Sequence, residues 1–301
     1  MMKISVIGSG AMGCLFGSLL SVRNNVVILG RNNDTVSFIN NNGITVNSSE
    51  KFYPKAALNG TYYEKSDLTI IMVKSYDTVQ ALADNKKLIE NSQSVLTLQN
   101  GLGNAEHILR FADRNKIFIG TTEHNSSIEK TGYICHGGNG STFIGGLSGS
   151  AEKIADAFSE CGITAFASDD VYRLIWKKLL LNAAVNAVTA VLSIPTGFIA
   201  KNNSVLEICQ NLVSEAVKTA ETCNLSFSSE EIMQSVKNLS VRQPDAFTSM
   251  YSDIRNNRKT EIDSINGAIA AIAEKNGIDV PFNRMITDMI HALEMKGISE
   301  I

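Results

Sequence analysis

The apolar positions divide the chain into two halves with different periods. In the first half, short continuous apolar runs alternate with helical patterns. KISVIG (residues 3–8) and NVVILG (25–30) predict strands, with AMGCLFGSLLSV as a helix between them. After a looser stretch containing ITV and KFYPKAAL come the strand LTIIMV, the helical DTVQALADNKKLIE and the strand SVLTLQ. Runs rich in Val, Ile and Leu that do not alternate with polar residues are what strands buried on both faces of a parallel sheet look like. Their alternation with helices predicts a doubly wound α/β sheet. Between residues 116 and 146, IFIGTTEHNSS, GYICHG and STFIGG are strand-like and separated by glycine and polar turns. The sheet is therefore expected to end in mixed or antiparallel strands.

From about Asp169 the strand pattern stops. DVYRLIWKKLLLNAAVNAVTAVL, VLEICQNLVSEAVKTAETC, SEEIMQSVKNL, KTEIDSINGAIAAIAEKNG and FNRMITDMIHALEMKG all carry helical periodicity. Ser228-Ser229-Glu230-Glu231 has the form of a capped helix start. The expected organisation is an α/β domain over residues 1–168 and an all-α domain over residues 169–301. Residues 179–200 contain no charge, a length sufficient to span a bilayer. The stretch also carries Asn182, Asn186, Thr189, Ser193, Pro195, Thr196 and Gly197, and polar groups in hydrocarbon are costly, so a buried helix of a soluble protein is expected.

Composition narrows the function classes. The 301 residues, 44% hydrophobic and 19% charged, suit one large or two ordinary globular domains with a substantial core. A formal charge of −3 provides neither the basic footprint of a nucleic-acid binder nor a polybasic membrane patch. Five scattered cysteines without a CxxC pair argue against a zinc site or a disulfide framework and fit a reducing compartment. The first apolar run has no basic n-region and no small-residue cleavage site after it, so a cytoplasmic location is expected.

Candidate chemistry begins at Gly8-Ser9-Gly10-Ala11-Met12-Gly13, which follows a predicted strand and opens a predicted helix. GxGxxG has physical meaning in that context. The first glycine permits a tight turn, the second lets backbone approach a pyrophosphate, and the third lets helix and strand pack closely. The helix N-terminus adds N–H donors and positive potential. An NAD-selective site places an acid about 20 residues further on, at the ribose 2′-hydroxyl. Here NVVILG leads directly into Arg31, and no acid occurs before Asp34. A guanidinium at that place suits a 2′-phosphate, so the expected cofactor is NADP(H).

In the helical half, Lys178, Asn182 and Asn186 stand at i, i+4 and i+8 on one helix face, among apolar neighbours. Buried amides and an ammonium need partners, so the stripe fits either a network between helices or an active-site wall. Lys74 follows LTIIMV at the carboxyl end of a strand, where open α/β sheets bind ligands, and Asn100-Gly101 occupy the corresponding place after SVLTLQ. TSMYSDIRNNRKTEIDSINGA brings Ser249, Asp253, Glu261 and Asn266 into a short span, with Asp253 expected as a solvated helix charge. The histidines at 107, 124, 136 and 291 are dispersed and are expected to be structural; no metal site is indicated.

The combination of GSGAMG, VKSYDT, LQNGLG, WKKLLLNAAVNAVTA and TSMYSDIRNNRKTEIDSINGAI resembles the ketopantoate reductase (2-dehydropantoate 2-reductase) family over nearly the whole chain. The resemblance implies a Rossmann-like dinucleotide-binding domain followed by an all-α domain. It implies NADPH-dependent reduction of ketopantoate to (R)-pantoate, a step toward pantothenate and coenzyme A. It implies Lys178 as general acid, rather than Lys177, with Glu261 as its catalytic partner. Ser249 would contact the substrate, Asn182 and Asn186 would line the site, and Lys74 and Asn100 would serve where cofactor and substrate meet. Two positions depart from the pattern of some members. Ala246 stands where some members have a substrate-holding asparagine, and Pro195-Thr196 stands where some members have an asparagine following C-P. The departures leave room for a different 2-oxo or 2-hydroxy acid. A non-catalytic NADP(H)-binding sensor is a further alternative, although the candidate acid and its holders are all present. The helical half is a candidate surface for a homodimer.

Overall fold

The computed structural model describes residues 1–299, which form two compact units. The first contains Met1–Gln99 and Gly103–Leu174; the second contains Asn100–Leu102 and the chain from Ile175 onward. The sequence pattern puts a boundary near residue 168. The division of the structure lies a few residues later, inside a helix that begins at Val171.

The strands of the first unit are, in chain order, β1 (Lys3–Ile7), β2 (Asn25–Gly30), β3 (Ile44–Val46), β4 (Glu50–Phe52), β5 (Lys55–Leu58), β6 (Leu68–Ile71), β7 (Ser94–Thr97), β8 (Ile117–Thr122), β9 (Asn125–Lys130), β10 (Tyr133–Gly138), β11 (Thr142–Gly146) and β12 (Ala165–Ala167). Its helices are α1 (Ala11–Leu20), α2 (Asn33–Asn42), α3 (Thr78–Asp84), α4 (Lys86–Glu90), α5 (Asn104–Ile108) and α6 (Glu152–Ser159). The main sheet has the order β12-β11-β8-β7-β6-β1-β2-β5. From β5 to β8 the neighbours are parallel, in the spatial order of the dinucleotide-binding doubly wound fold. The Val, Ile and Leu of β1 and β6 are buried, which is why these strands lack alternation. On the far side β11 runs antiparallel to β8 and β12 pairs parallel with β11 at the edge, so the sheet is mixed.

Residues 44–58 and 116–138 contain more strands, and a second sheet, than the sequence pattern predicts. The looser stretch contains three short strands, β3, β4 and β5. IFIGTTEHNSS divides at Glu123-His124 into β8, which belongs to the main sheet, and β9, which does not. β9 and β10 pair with β3 and β4 in a second sheet of order β4-β3-β10-β9. β9 is largely exposed, so it lacks the apolar run that marks the main-sheet strands. DTVQALADNKKLIE is likewise two helices, α3 and α4, broken at Asn85. The Asn85 amide donates to the Ala81 carbonyl at 2.9 Å and its Oδ1 accepts from the Gly60 N–H at 3.1 Å, a local competition with helix continuation.

The second unit contains α7 (Val171–Leu192, which starts in the first unit), α8 (Asn203–Glu221), α9 (Ser229–Arg242), α10 (Ser249–Arg255), α11 (Asn266–Lys275) and α12 (Pro281–Ser299). By length and composition α7 is apolar enough to cross a membrane. Trp176, Leu179, Leu180, Ala183, Ala184, Ala187 and Val188 are instead buried in the core of this unit. Ser228 caps α9 as expected, accepting from the Glu231 N–H at 3.3 Å. The buried Glu215 of α8 accepts from the backbone N–H groups of Phe282 and Asn283, both at 2.9 Å, and so satisfies the N-terminus of α12. One expectation fails: the helical pattern from Lys259 does not start a helix there. A 3-10 turn, Ile262–Ser264, precedes α11, and Glu261 lies just before that turn.

Candidate functional site

In the first unit the glycine loop joins β1 to α1, and its three glycines have different constraints. Gly8 has φ +125°, and a Cβ there would lie 2.8 Å from backbone atoms of Met72. A Cβ on Gly13 would overlap the Gly8 carbonyl oxygen. Both are glycine for the sake of the fold. Gly10 differs: its φ is −78° and a Cβ would meet nothing within 4 Å. It is the N-cap of α1 and provides no side-chain acceptor for the first helical N–H groups. Open space above an uncapped helix N-terminus is what a pyrophosphate needs, so these residues fit a dinucleotide. Ala11 opens α1, Ser9 packs against Gly30 at the end of β2, and the Met12 sulfur accepts from the Ser126 hydroxyl at 3.2 Å. Cys14 lies in the early part of the same helix, where the dipole favours a thiolate. Burial wins, and its thiol is pushed up to about 12.

Two further candidates, Arg31 and Lys74, follow strands β2 and β6 of the same unit. Lys74 is half-buried at the start of a 3-10 turn, Ser75–Asp77, that follows β6. Gln99 ties the carboxyl ends of β6 and β7 together, donating to the Val73 carbonyl and to the Thr78 hydroxyl, both at 2.8 Å. Arg31 projects from the end of β2 with 68% of its side chain exposed. Its Nη1 and Nη2 donate to the two carboxylate oxygens of Asp77 at 3.1 and 2.9 Å.

In the second unit, Lys178, Asn182 and Asn186 are half-buried along α7, whereas Lys177 is exposed. Glu261 is buried, and its Oε2 accepts from Asn100 Nδ2 at 3.4 Å. Asn100 reaches it because residues 100–102 pack in this unit: the Leu102 N–H donates to the Ser264 carbonyl at 2.9 Å. Gly101 has φ +81°, and a Cβ there would overlap Ser264 backbone, so the glycine of LQNG allows the approach. The buried Asn266 amide donates to the Ala183 carbonyl at 3.0 Å, fixing the 261–266 turn against the middle of the α7 stripe.

Ser249 is exposed at the first position of α10. Thr248 anchors that end twice. Its hydroxyl accepts from the Tyr251 N–H at 3.3 Å, and it lies 2.9 Å from the Thr189 hydroxyl on α7. Thr248→Ala is expected to destabilise the protein by about 1 kcal/mol, the ordinary cost of a lost N-cap, measurable as a shift in urea midpoint.

Sequence reasoning missed several participants. Asp253 is not a solvated charge: it is 5% exposed and pairs with Arg258 at 3.3 Å. A spacing of five residues between two charges conveys nothing about which one is buried. Asp77 escaped notice because it is 46 positions from Arg31. The two departures from the resembled pattern touch each other, with the Thr196 N–H donating to the Ala246 carbonyl at 2.9 Å. The Thr196 hydroxyl donates to the Gln243 carbonyl and is thereby occupied. His124 Nδ1 lies 2.9 Å from His136 Nε2, and burial of His124 together with the His136 charge holds its pKa below the usual histidine value. Among the described residues no group of three or more His, Cys, Asp or Glu is arranged to hold a metal ion.

Comparison with known proteins extends this geometry. The family model for ketopantoate reductase PanE/ApbA matches residues 4–149, and that for the ketopantoate reductase PanE/ApbA C terminal matches residues 170–294. The 2-dehydropantoate 2-reductase of Streptococcus pyogenes serotype M3 is 32% identical over 301 residues, covering 97% of this chain and 98% of the relative. Among solved structures, a D-mandelate dehydrogenase with NADH and anilino(oxo)acetate superposes with a TM-score of 0.94 at 29% identity, covering 98% of this chain and 99% of its own. A PanE/ApbA family ketopantoate reductase from Ralstonia eutropha JMP134 superposes with a TM-score of 0.89 at 26% identity, with the same coverage of each chain.

Proposed function

This chain belongs to the ketopantoate reductase family and is an oxidoreductase that uses a nicotinamide dinucleotide, and from that premise we propose that it acts on a small 2-oxo acid and reduces ketopantoate to (R)-pantoate with NADPH. The reading places it in the cytoplasm, in the supply of pantothenate. Its main support is the α7 stripe together with the buried Glu261 carboxylate, turned onto Asn100 within the same unit. The cofactor, when bound, supplies the hydride.

The residues divide the remaining work. Hydride addition to a ketone develops negative charge on the carbonyl oxygen, which needs a proton in place as the charge forms. The Lys178 ammonium delivers that proton. Asn182 and Asn186, one and two turns along the helix, line the substrate side, and Ser249 contacts the substrate. Glu261 holds the acid's surroundings and Asn100 steadies Glu261. Gly8 to Gly13 and Arg31 hold the cofactor, with Lys74 beside it.

A second reading has specific support. Ala246 offers no polar side chain, Thr196 has spent its hydroxyl on a backbone carbonyl, and the D-mandelate dehydrogenase is a close structural match. A 2-oxo acid with a less polar substituent than ketopantoate, used with NADH, fits those observations. The test is cofactor oxidation by purified protein with ketopantoate, with phenylglyoxylate and with other 2-oxo acids, using NADPH and NADH in parallel. Turnover with ketopantoate and NADPH well above all other combinations is the expected result. Turnover with phenylglyoxylate but not ketopantoate would keep the catalytic residues and replace the substrate.

A further inference from the structure

We propose that Asp77 sets the cofactor preference of this enzyme by competing with a 2′-phosphate for the guanidinium of Arg31. The inference rests on the reading that the glycine loop and Arg31 hold the adenosine half of the cofactor, and it deepens that reading. At the end of β2 the sequence shows only a cation. The fold adds an anion there, because the turn after β6 brings Asp77 onto the same guanidinium in a two-pronged contact at 3.1 and 2.9 Å.

The asymmetry of the pair is informative. Asp77 is the less exposed partner, 23% against 68% for Arg31. It occupies the N-cap position of α3, yet its carboxylate makes no capping bond to that helix. Its backbone is fixed as well, since the Asp77 N–H donates to the Lys74 carbonyl at 2.9 Å. Asp77 is therefore the more anchored member of the pair and Arg31 the more exposed one. A fork-to-fork pair takes up both terminal nitrogens of the guanidinium, which together form one of the faces that can grip a phosphate through paired N–H groups. To engage a 2′-phosphate in that manner, Arg31 must give up contacts to Asp77, and the phosphate must accept a nearby carboxylate. NADH imposes neither demand, because a ribose hydroxyl leaves the ion pair intact and meets an acid of the kind that NAD-selective sites provide. Asp77 thus lowers the selectivity that Arg31 alone would give.

The test is the dissociation constant of each reduced cofactor, measured by fluorescence titration of the full chain without substrate. Wild type, Asp77→Asn, Asp77→Ser, Arg31→Ala and the Arg31→Ala/Asp77→Asn double variant are compared. Asp77→Asn and Asp77→Ser are expected to raise the ratio Kd(NADH)/Kd(NADPH) about 3- to 10-fold, the scale of one exposed ion pair plus one like-charge contact. In the Arg31→Ala background the same substitution is expected to improve NADPH binding by a smaller factor than in wild type, because only the like-charge contact then remains to be relieved. If Arg31→Ala weakens NADPH binding while both Asp77 variants leave the ratio unchanged or lower it, the proposal falls and the NADP(H) reading stands. If Arg31→Ala leaves NADPH binding unchanged, that reading of Arg31 falls and the proposal with it.

Discussion

Replacing Lys178 by alanine is expected to lower turnover about 10²- to 10⁴-fold while leaving the affinity for the reduced cofactor unchanged. That range corresponds to roughly 2.7–5.4 kcal/mol of barrier. The loss is expected to be large because, of positions 178, 182 and 186 on that helix face, only 178 carries an acid: the other two carry amides, which donate hydrogen bonds but give up no proton. Lys177 is the internal control. It is exposed, one residue away and of the same charge, so Lys177→Ala is expected to stay near wild-type turnover. Single-turnover reduction, with cofactor affinity measured separately, distinguishes a chemical defect from a binding one. Wild-type turnover in Lys178→Ala would remove this residue from the mechanism. A matching loss in Lys177→Ala would point to helix perturbation instead.

That Lys178 rather than Lys177 is the acid is what the resemblance implies. Periodicity alone puts Lys178, Asn182 and Asn186 on one face without saying what that face meets. Elsewhere the legible parts share a physical cause. β1, β2, β6 and β7 are buried on both sides, so their composition announces them. β4 and β9 are short or mostly exposed, and little in their composition distinguishes them from a polar loop. The helical pattern over 259–277 concealed the turn at Ile262–Ser264, because apolar spacing reports a buried face and not the backbone path that reaches it. Asp77 and Asp253 were illegible for a related reason. Whether an acid is solvated or paired depends on what the fold brings to it, and the partner of Asp77 comes from a different strand end.

Gly13→Ala is expected to be the most damaging single-methyl change in the first unit, and Gly10→Ala among the least damaging to its folding. At position 13 the added Cβ would overlap the Gly8 carbonyl oxygen, a backbone atom with no rotamer to escape into. α1 must then move away from the end of β1. Overpacking of this kind costs about 1–3 kcal/mol, occasionally more. A displacement of about 1 Å in the groups that hold a ligand is enough to cost on the order of 10²-fold in function, so cofactor binding is expected to be lost as well. At position 10 the methyl enters open space with an ordinary φ, and the free protein is expected to lose no more than about 1 kcal/mol, mostly from exchanging glycine for a poorer N-cap. Cofactor affinity is nevertheless expected to fall about 10-fold or more, because the space the methyl enters is the space a pyrophosphate needs at the helix N-terminus. Thermal denaturation with and without saturating NADPH reads both quantities at once, since a ligand that binds only the folded chain raises its Tm. A Gly10→Ala protein that keeps both its stability and its NADPH-induced shift would remove the open space at position 10 from the cofactor site. Loss of the shift with stability intact separates a glycine needed for folding from one needed for the ligand.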